Sequence, residues 1–188
     1  MVVTYAPDGP EPDDVLVEHV SGDPFAPVTV LEFGDYECPY CAGAAPVLRE
    51  LVARSEGQVR LVFRNFPLFE VHPHALTAAL AAESTTASGR FWDMHYLLFA
   101  KQAHLLDADL RRYAEQVGAD PELATGAPAQ RFAEKVRADY SAGREAGVAG
   151  TPTLFIEGEP YVGRVELQAL QRATGTSERH GLDPGERG

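Results

Sequence analysis

Two cysteines, Cys38 and Cys41, are the only ones in the chain, and they stand in the run Glu37-Cys38-Pro39-Tyr40-Cys41-Ala42. A dithiol at this spacing suits thiol–disulfide exchange. One thiolate attacks a disulfide, and the second sulfur attacks the mixed disulfide that results. Position assigns the two roles. The apolar run Val28 to Phe33 reads as a buried strand just upstream, and a helical pattern follows downstream. Cys38 then lies at a helix N-terminus with Pro39 at the first helical position, where free N–H groups and the helix dipole stabilise an anion. Its pKa is expected below the ~8.5 of a free thiol, which makes Cys38 the nucleophile and Cys41 the resolving thiol. The competing use of the pair is half a zinc site. A tetrahedral site needs about four ligands. His72 and His74 would have to supply the rest, and Pro73 between them makes convergence awkward. No metal is expected.

Two further positions carry chemistry. Glu32 interrupts the apolar strand six residues before Cys38. A buried carboxylate costs several kcal/mol unless it is paired or protonated. Beneath the cysteines, a carboxyl with a raised pKa can exchange a proton with Cys41; the alternative is a strand-end acid that reaches solvent. Thr151-Pro152 stands at the start of a later strand, where proline marks an edge, a bulge or a cis bond. A cis bond would turn the backbone of Thr151 outward as a pairing edge for an extended peptide. Other conspicuous residues read as structure. Trp92, Tyr96 and Phe99 fit a core stripe, and His95 and His104 read as surface or satisfied side chains. No glycine-rich loop resembles a nucleotide fingerprint, so no cofactor is expected and electrons must pass through thiols.

The frame for these residues is one domain with room for an inserted subdomain, since the chain has 188 residues, 45% of them hydrophobic and 23% charged. No run approaches the ~18 apolar residues of a membrane span. The first residues lack the basic and apolar regions of a secretory signal, so a cytoplasmic protein is expected; a chain whose leader had been removed would read the same. The net charge is −12, and six acids fall before residue 25, where there is no Lys or Arg. That balance argues against nucleic acid and anionic membrane as partners.

In order, residues 1–14 read as a flexible acidic arm, and Val15-Leu16-Val17 as a short edge strand. A helix from Cys38 to about Arg54, with Pro46 inside it, joins Val28–Phe33 to the strand Val59–Arg64 as a βαβ unit. The dithiol falls at the carboxyl end of its first strand, where open α/β sheets place their sites. Residues 66–147 read as all-helical: Pro73 to Glu83, Phe91 to Phe99, a third helix capped by Asp107 and ended by Gly118, a short fourth from Asp120-Pro121, and a fifth striped by Phe132, Val136 and Tyr140. Thr153–Ile156 then forms a hairpin with Tyr161-Val162 across Gly158-Glu159-Pro160, and Val165 to Ala173 closes as a helix. Residues 174–188 read as a flexible tail.

Taken together, these residues resemble the thioredoxin superfamily and, within it, the DsbA-like thiol–disulfide oxidoreductases. Leu31-Glu32-Phe33 before Cys38-Pro39-Tyr40-Cys41, Pro46 in the following helix, and Gly150-Thr151-Pro152-Thr153 carry the likeness. Phe63-Arg64-Asn65-Phe66-Pro67-Leu68 and His72-Pro73-His74 are similar to bacterial members, including thioredoxin-like domains fused to antiporters. The resemblance implies an α/β fold, a thioredoxin-like central mixed β-sheet flanked by helices, with an inserted all-helical subdomain. The thioredoxin-like domain would take residues 15–65 and 148–173, and the insertion 66–147. It implies Cys38, Cys41 and Glu32 as catalytic, a cis Thr151–Pro152 bond, and Pro39, Tyr40, Thr151 and Pro152 as the surface that meets substrate. The partners would be protein or peptide thiols and disulfides, with a thioredoxin- or glutathione-type electron donor. Phe91, Trp92, Tyr96 and Phe99 would line or support an apolar groove. Pro-Tyr is also the glutaredoxin dipeptide, so a glutathione-dependent reductase is the alternative, and a redox-inactive peptide-binding or chaperone-like module a second one. Against glutathione, nothing basic is expected beside the motif: Arg49 and Arg54 lie down the helix, and Glu37 has the wrong sign.

Overall fold

A computed structural model describes residues 17–176; the expected acidic arm, 1–14, and residues 177–188 lie outside the described residues. The centre is a five-stranded mixed sheet in the order β1-β3-β2-β4-β5. It is built from β1 (His19–Ser21), β2 (Val28–Gly34), β3 (Val59–Asn65), β4 (Thr153–Ile156) and β5 (Glu159–Pro160). The parallel pair β2 and β3 is joined by the crossover helix α1 (Pro39–Arg54), and the other pairings are antiparallel. Glu32 therefore stands mid-sheet, opposite Phe63 on one side and Leu154 on the other.

Between β3 and β4 the chain is helical: α2 (Ala75–Glu83), α3 (Phe91–Ala100), α4 (Asp107–Val117), the single turn α5 (Gly126–Ala129) and α6 (Ala133–Glu145), with 3-10 turns at Pro121–Leu123 and Gln130–Phe132. The helix α7 (Leu167–Ala173) returns to the sheet. On one face Val30, Leu61 and Leu154 pack under Leu48 and Leu51 of α1 and Leu170 of α7. On the other, Phe33, Phe66 and Phe155 pack with Val148 and, from α6, Tyr140. The largest apolar cluster joins Tyr36, Cys38, Cys41 and Phe63 to α2, α3 and α4 through Ala78, Met94, Leu98 and Leu110. The dithiol thus sits where the sheet meets the helical block.

The period-2 and period-3.6 patterns place the long elements where they are found, and the differences arise at turns. An edge strand, His19–Ser21, is anchored by the Trp92 indole N–H on the Val20 carbonyl at 2.9 Å; Val15 and Leu16 of the expected strand Val15-Leu16-Val17 lie outside the described residues. The hairpin turns at Glu157-Gly158, both at positive φ, so β5 is Glu159–Pro160 and not Tyr161-Val162; glycine suits the second of these positions. Leu106, not Asp107, caps α4, and Asp107 and Asp109 occupy its first turn. The expected fourth helix is only a 3-10 turn, with the Asp120 carboxylate accepting the Glu122 N–H. α7 begins at Leu167 rather than Val165, and the expected tail starts in order: Thr174 is buried and its hydroxyl donates to the Leu170 carbonyl.

Candidate active site

Local sequence fixes the first cysteine. Asp35 leaves β2 and its carbonyl accepts the Cys38 N–H at 3.1 Å, which closes a turn onto the start of α1. Cys38 is the extended N-cap residue (φ −76°, ψ 120°), and Pro39, which has no N–H to leave unpaired, opens the helix. The Gln102 amide donates to the carbonyls of Tyr36 and Cys38 at 2.9 and 2.8 Å, so the segment after α3 holds the same turn. From across the sheet, the loop before β4 brings Thr151, whose carbonyl accepts from the Cys38 Sγ at 3.2 Å. The Thr151–Pro152 peptide is cis.

Charge separates the two thiols. The Cys38 pKa is lowered to about 5, first by the hydrogen bond from the Cys41 thiol and then by the Thr151 side chain and the N–H groups of Cys41 and Tyr40, which together outweigh burial. The Cys41 pKa is driven far upward by burial, by its hydrogen bond to Cys38 and by the charge of Glu32. One sulfur is ready as an anion and the other holds its proton. Both are reduced and buried in this structure.

Glu32 lies fully buried beneath them, and neither carboxylate oxygen has a hydrogen-bond partner. Burial first, then the Cys38 charge, raises its pKa to about 8. The strand-end alternative is excluded by its mid-strand register. Gly34 makes room on the same face: a Cβ there would lie 2.4 Å from the Phe63 ring and 3.4 Å from Glu32 Oε1.

An open cleft of about 500 Å³ runs beside the motif, lined by Pro39, Tyr40, Thr151, Pro152, Arg164 and Val165 among others. Tyr40 is three-quarters exposed, at 76%. The structure therefore brings together Cys38, Cys41 and Glu32, and puts Pro39, Tyr40, Thr151 and Pro152 on one wall. Arg164 corrects the expectation that nothing basic stands near the motif. It is remote in sequence, and only the return of the chain after β5 brings it there.

Sequence reasoning also missed Asp35, Gln102 and the pairing of His72, whose ring, weighed above as a zinc ligand, meets the Asp35 carboxylate at 2.8 Å. Their spacings carry no periodic signal. His95 proves buried, with Nδ1 3.2 Å from the Tyr36 hydroxyl and Nε2 unpartnered, and its pKa is lowered to about 3 by burial and then His19. The buried residues of α3 are Phe91, Met94, His95, Leu98 and Phe99; Trp92 and Tyr96 are only partly covered. Tyr96 and Phe99 line a separate groove of about 430 Å³ between α1 and α3, away from the cis-proline cleft.

A parallel βαβ crossover, an antiparallel return after a cis proline, and a dithiol at the crossover helix define a thioredoxin-fold protein. The chain belongs to the thioredoxin family: residues 14–174 match the family model described as Thioredoxin. It is 44% identical over 163 residues to the Na(+)/H(+) antiporter NhaA 3 of Salinispora tropica, which covers 86% of this chain and 25% of that protein. The chain thus spans about a quarter of the length of that relative. Among the described residues no helix is long and apolar enough to cross a membrane. A thioredoxin-like oxidoreductase from Silicibacter pomeroyi superposes with a TM-score of 0.75 at 29% identity, over 84% of this chain and 90% of that one. The thiol-disulfide exchange protein alpha-DsbA2 from Wolbachia pipientis superposes with a TM-score of 0.74 at 22% identity, over 87% and 89% of the two chains, a likeness of fold.

Proposed function

We propose that this chain is a DsbA-like thiol–disulfide oxidoreductase that exchanges disulfides with protein or peptide substrates. The observation that carries the reading is the asymmetric thiol pair at the start of α1, with Cys38 acidic, Cys41 not, and the buried Glu32 carboxyl next to both in charge.

In the reducing direction, the Cys38 thiolate attacks one sulfur of a substrate disulfide and the other leaves as a thiolate. In the mixed disulfide the Cys38 charge that, after burial, raises the Glu32 pKa is gone, so the ionised fraction of Glu32 takes the Cys41 proton; Cys41 attacks Cys38 Sγ and the second substrate thiolate is released. Two electrons pass from the protein dithiol to the substrate, and the reverse sequence oxidises a dithiol substrate. Pro39, Tyr40, Thr151 and Pro152 form the wall against which the substrate lies. A thiolate as acidic as Cys38 stabilises the reduced protein, which moves the potential upward from thioredoxin's ~−270 mV toward DsbA's ~−120 mV.

Arg164 in the cleft favours a second reading, glutathione-dependent reduction, because its exposed guanidinium, 3.5 Å from the Glu166 carboxylate on the same wall, can exchange that partner for a ligand carboxylate. One experiment separates the two. Replacing Cys41 with Ala leaves the Cys38 mixed disulfide without a resolving thiol, so substrates stay attached. Discrete protein adducts on non-reducing gels, with insulin reduction by the wild type, support the proposal. A glutathione adduct alone, with glutathionylated peptides reduced faster than insulin, supports the second reading. No turnover of either substrate would defeat both.

A further inference from the structure

The turn before α1 is acidic. Asp35 and Glu37 both lie within three residues of Cys38, in a chain of net charge −12. Such a setting disfavours a further anion, yet the site is built around a thiolate. Among the described residues, the ion pair made by this turn is that of Asp35 with His72.

The pair is held firmly. Asp35 is buried, and its carboxylate accepts from the Glu37 N–H at 2.7 Å, the Leu68 N–H at 2.8 Å and His72 Nδ1 at 2.8 Å. His72 comes from the loop between β3 and α2, with its side chain 21% exposed. Glu37 is itself fixed by the His74 N–H at 2.6 Å. A carboxylate that takes three donors has one orientation, and so has the ring bound to it.

Resting on the proposed role of Cys38 as nucleophile, we propose that His72, oriented by Asp35, is a positioning residue whose imidazolium offsets the acidic turn and stabilises the Cys38 thiolate. Asp35, at the end of β2, holds the imidazole with its carboxylate and the Cys38 N–H with its carbonyl, and the charges of Cys38 and of Glu37 in the turn act on the ring. Burial opposes a charge on His72, but the Asp35 hydrogen bond and charge, followed by the charges of Cys38 and Glu37, raise its pKa above the ordinary 6.5. When the Cys38 thiolate and Cys41 thiol become a disulfide, two electrons go to the substrate disulfide and one proton leaves Cys41. The negative charge at Cys38 disappears. The protonation of His72 and the redox state of the dithiol are therefore linked, and linkage is reciprocal.

That reciprocity supplies the test. NMR titration of the wild-type imidazoles, in reduced and in oxidised protein, is expected to show the His72 pKa lower by half a unit or more after oxidation. His72→Gln keeps a donor for Asp35 and removes the charge. It is expected to raise the Cys38 pKa, read from thiolate absorbance, by a similar amount. It should also shift the equilibrium with glutathione about threefold toward the disulfide, about 15 mV at 29.6 mV per tenfold. The same His72 pKa in both redox states overturns the proposal, as does a variant whose Cys38 pKa and glutathione equilibrium match the wild type. Should the variant not fold, the wild-type titration decides alone. None of these readouts needs a substrate protein. Linked titration without insulin reduction would uphold His72 and sink the enzyme reading.

Discussion

Two glutamates are buried among the described residues, Glu32 in β2 and Glu83 at the end of α2, at 0% and 3% exposure. Their surroundings are opposite. The Glu83 carboxylate meets His19 Nε2 at 3.0 and 2.9 Å and the Asn65 amide at 2.6 Å. The chain of contacts continues from Asn65 to Asp139 at 3.2 Å and from Asp139 to Lys135 at 2.6 Å. It ties β1, β3, α2 and α6 together, and each acid in it has a basic partner. The Glu32 carboxylate has no hydrogen bond. A buried polar group that is satisfied contributes to one arrangement of the chain, whereas one left unsatisfied costs stability and keeps a proton in play near neutral pH. The first network joins the helical block to the sheet; the second carboxyl stands unpaired where its charge and that of Cys38 are coupled.

Breaking the satisfied member has the largest effect. Glu83→Ala leaves the His19 ring and the Asn65 amide buried without their acceptor. It is expected to cost about 3–5 kcal/mol, seen as a Tm lower by roughly 10 °C, while the folded fraction still exchanges disulfides. A Tm within a degree or two of the wild type would show that the network contributes little.

Glu32→Gln should do the reverse above neutrality. The unfolded carboxyl loses its proton near 4.5, and the folded one keeps it to about 8. Between those values the native state binds the extra proton, so wild-type stability falls as pH rises, by up to ~1.4 kcal/mol per unit. The variant has no such loss. Urea unfolding of the reduced proteins is expected to shift about 3 kcal/mol in favour of the variant between pH 5 and pH 8. Parallel stability curves would mean that Glu32 titrates normally.

The two regions were not equally legible. Glu32 announces itself as a charge inside an apolar period-2 run, and the dithiol as a close cysteine pair at a strand–helix junction. Those local signals place the sheet, α1, the long helices and the core of the site. The network gives no such sign. His19 stands just past the expected edge strand Val15-Leu16-Val17, and Glu83, Asp139 and Lys135 read as the polar residues of amphipathic helices. Only the tertiary approach of four elements turns them inward. Arg164, Gln102 and His72 were hidden for the same reason: each reaches the site from a loop, where no periodicity points a side chain.

A smaller effect concerns catalysis. Glu32→Gln removes a proton carrier and leaves the nucleophile, so exchange is expected to slow about tenfold rather than stop. Stopped-flow reduction of a peptide disulfide across pH 6–9 measures it. An unchanged rate over that range would leave Glu32 with a structural role only.

The smallest expected effect is the sharpest test of the contrast, because it is an interaction energy near zero. The Glu32 pKa responds to burial and to Cys38, and neither Glu83 nor Asp139 contributes to it. Asp139 is raised by burial, lowered by its hydrogen-bonded Lys135, and raised by Glu83. Tyr36 stands between them and feels Glu83, Glu32 and Asp139, but burial raises its pKa well above the ordinary 10.0, so it stays neutral and transmits no charge. Sites without shared partners add in stability within about 0.5 kcal/mol. The double variant Glu32→Gln/Lys135→Ala, with each single variant, is therefore expected to close an additive cycle at pH 8. A coupling of 1 kcal/mol or more would mean that the dithiol and the network form one electrostatic unit. Disulfide exchange would then be felt in the anchoring of α6 to the sheet.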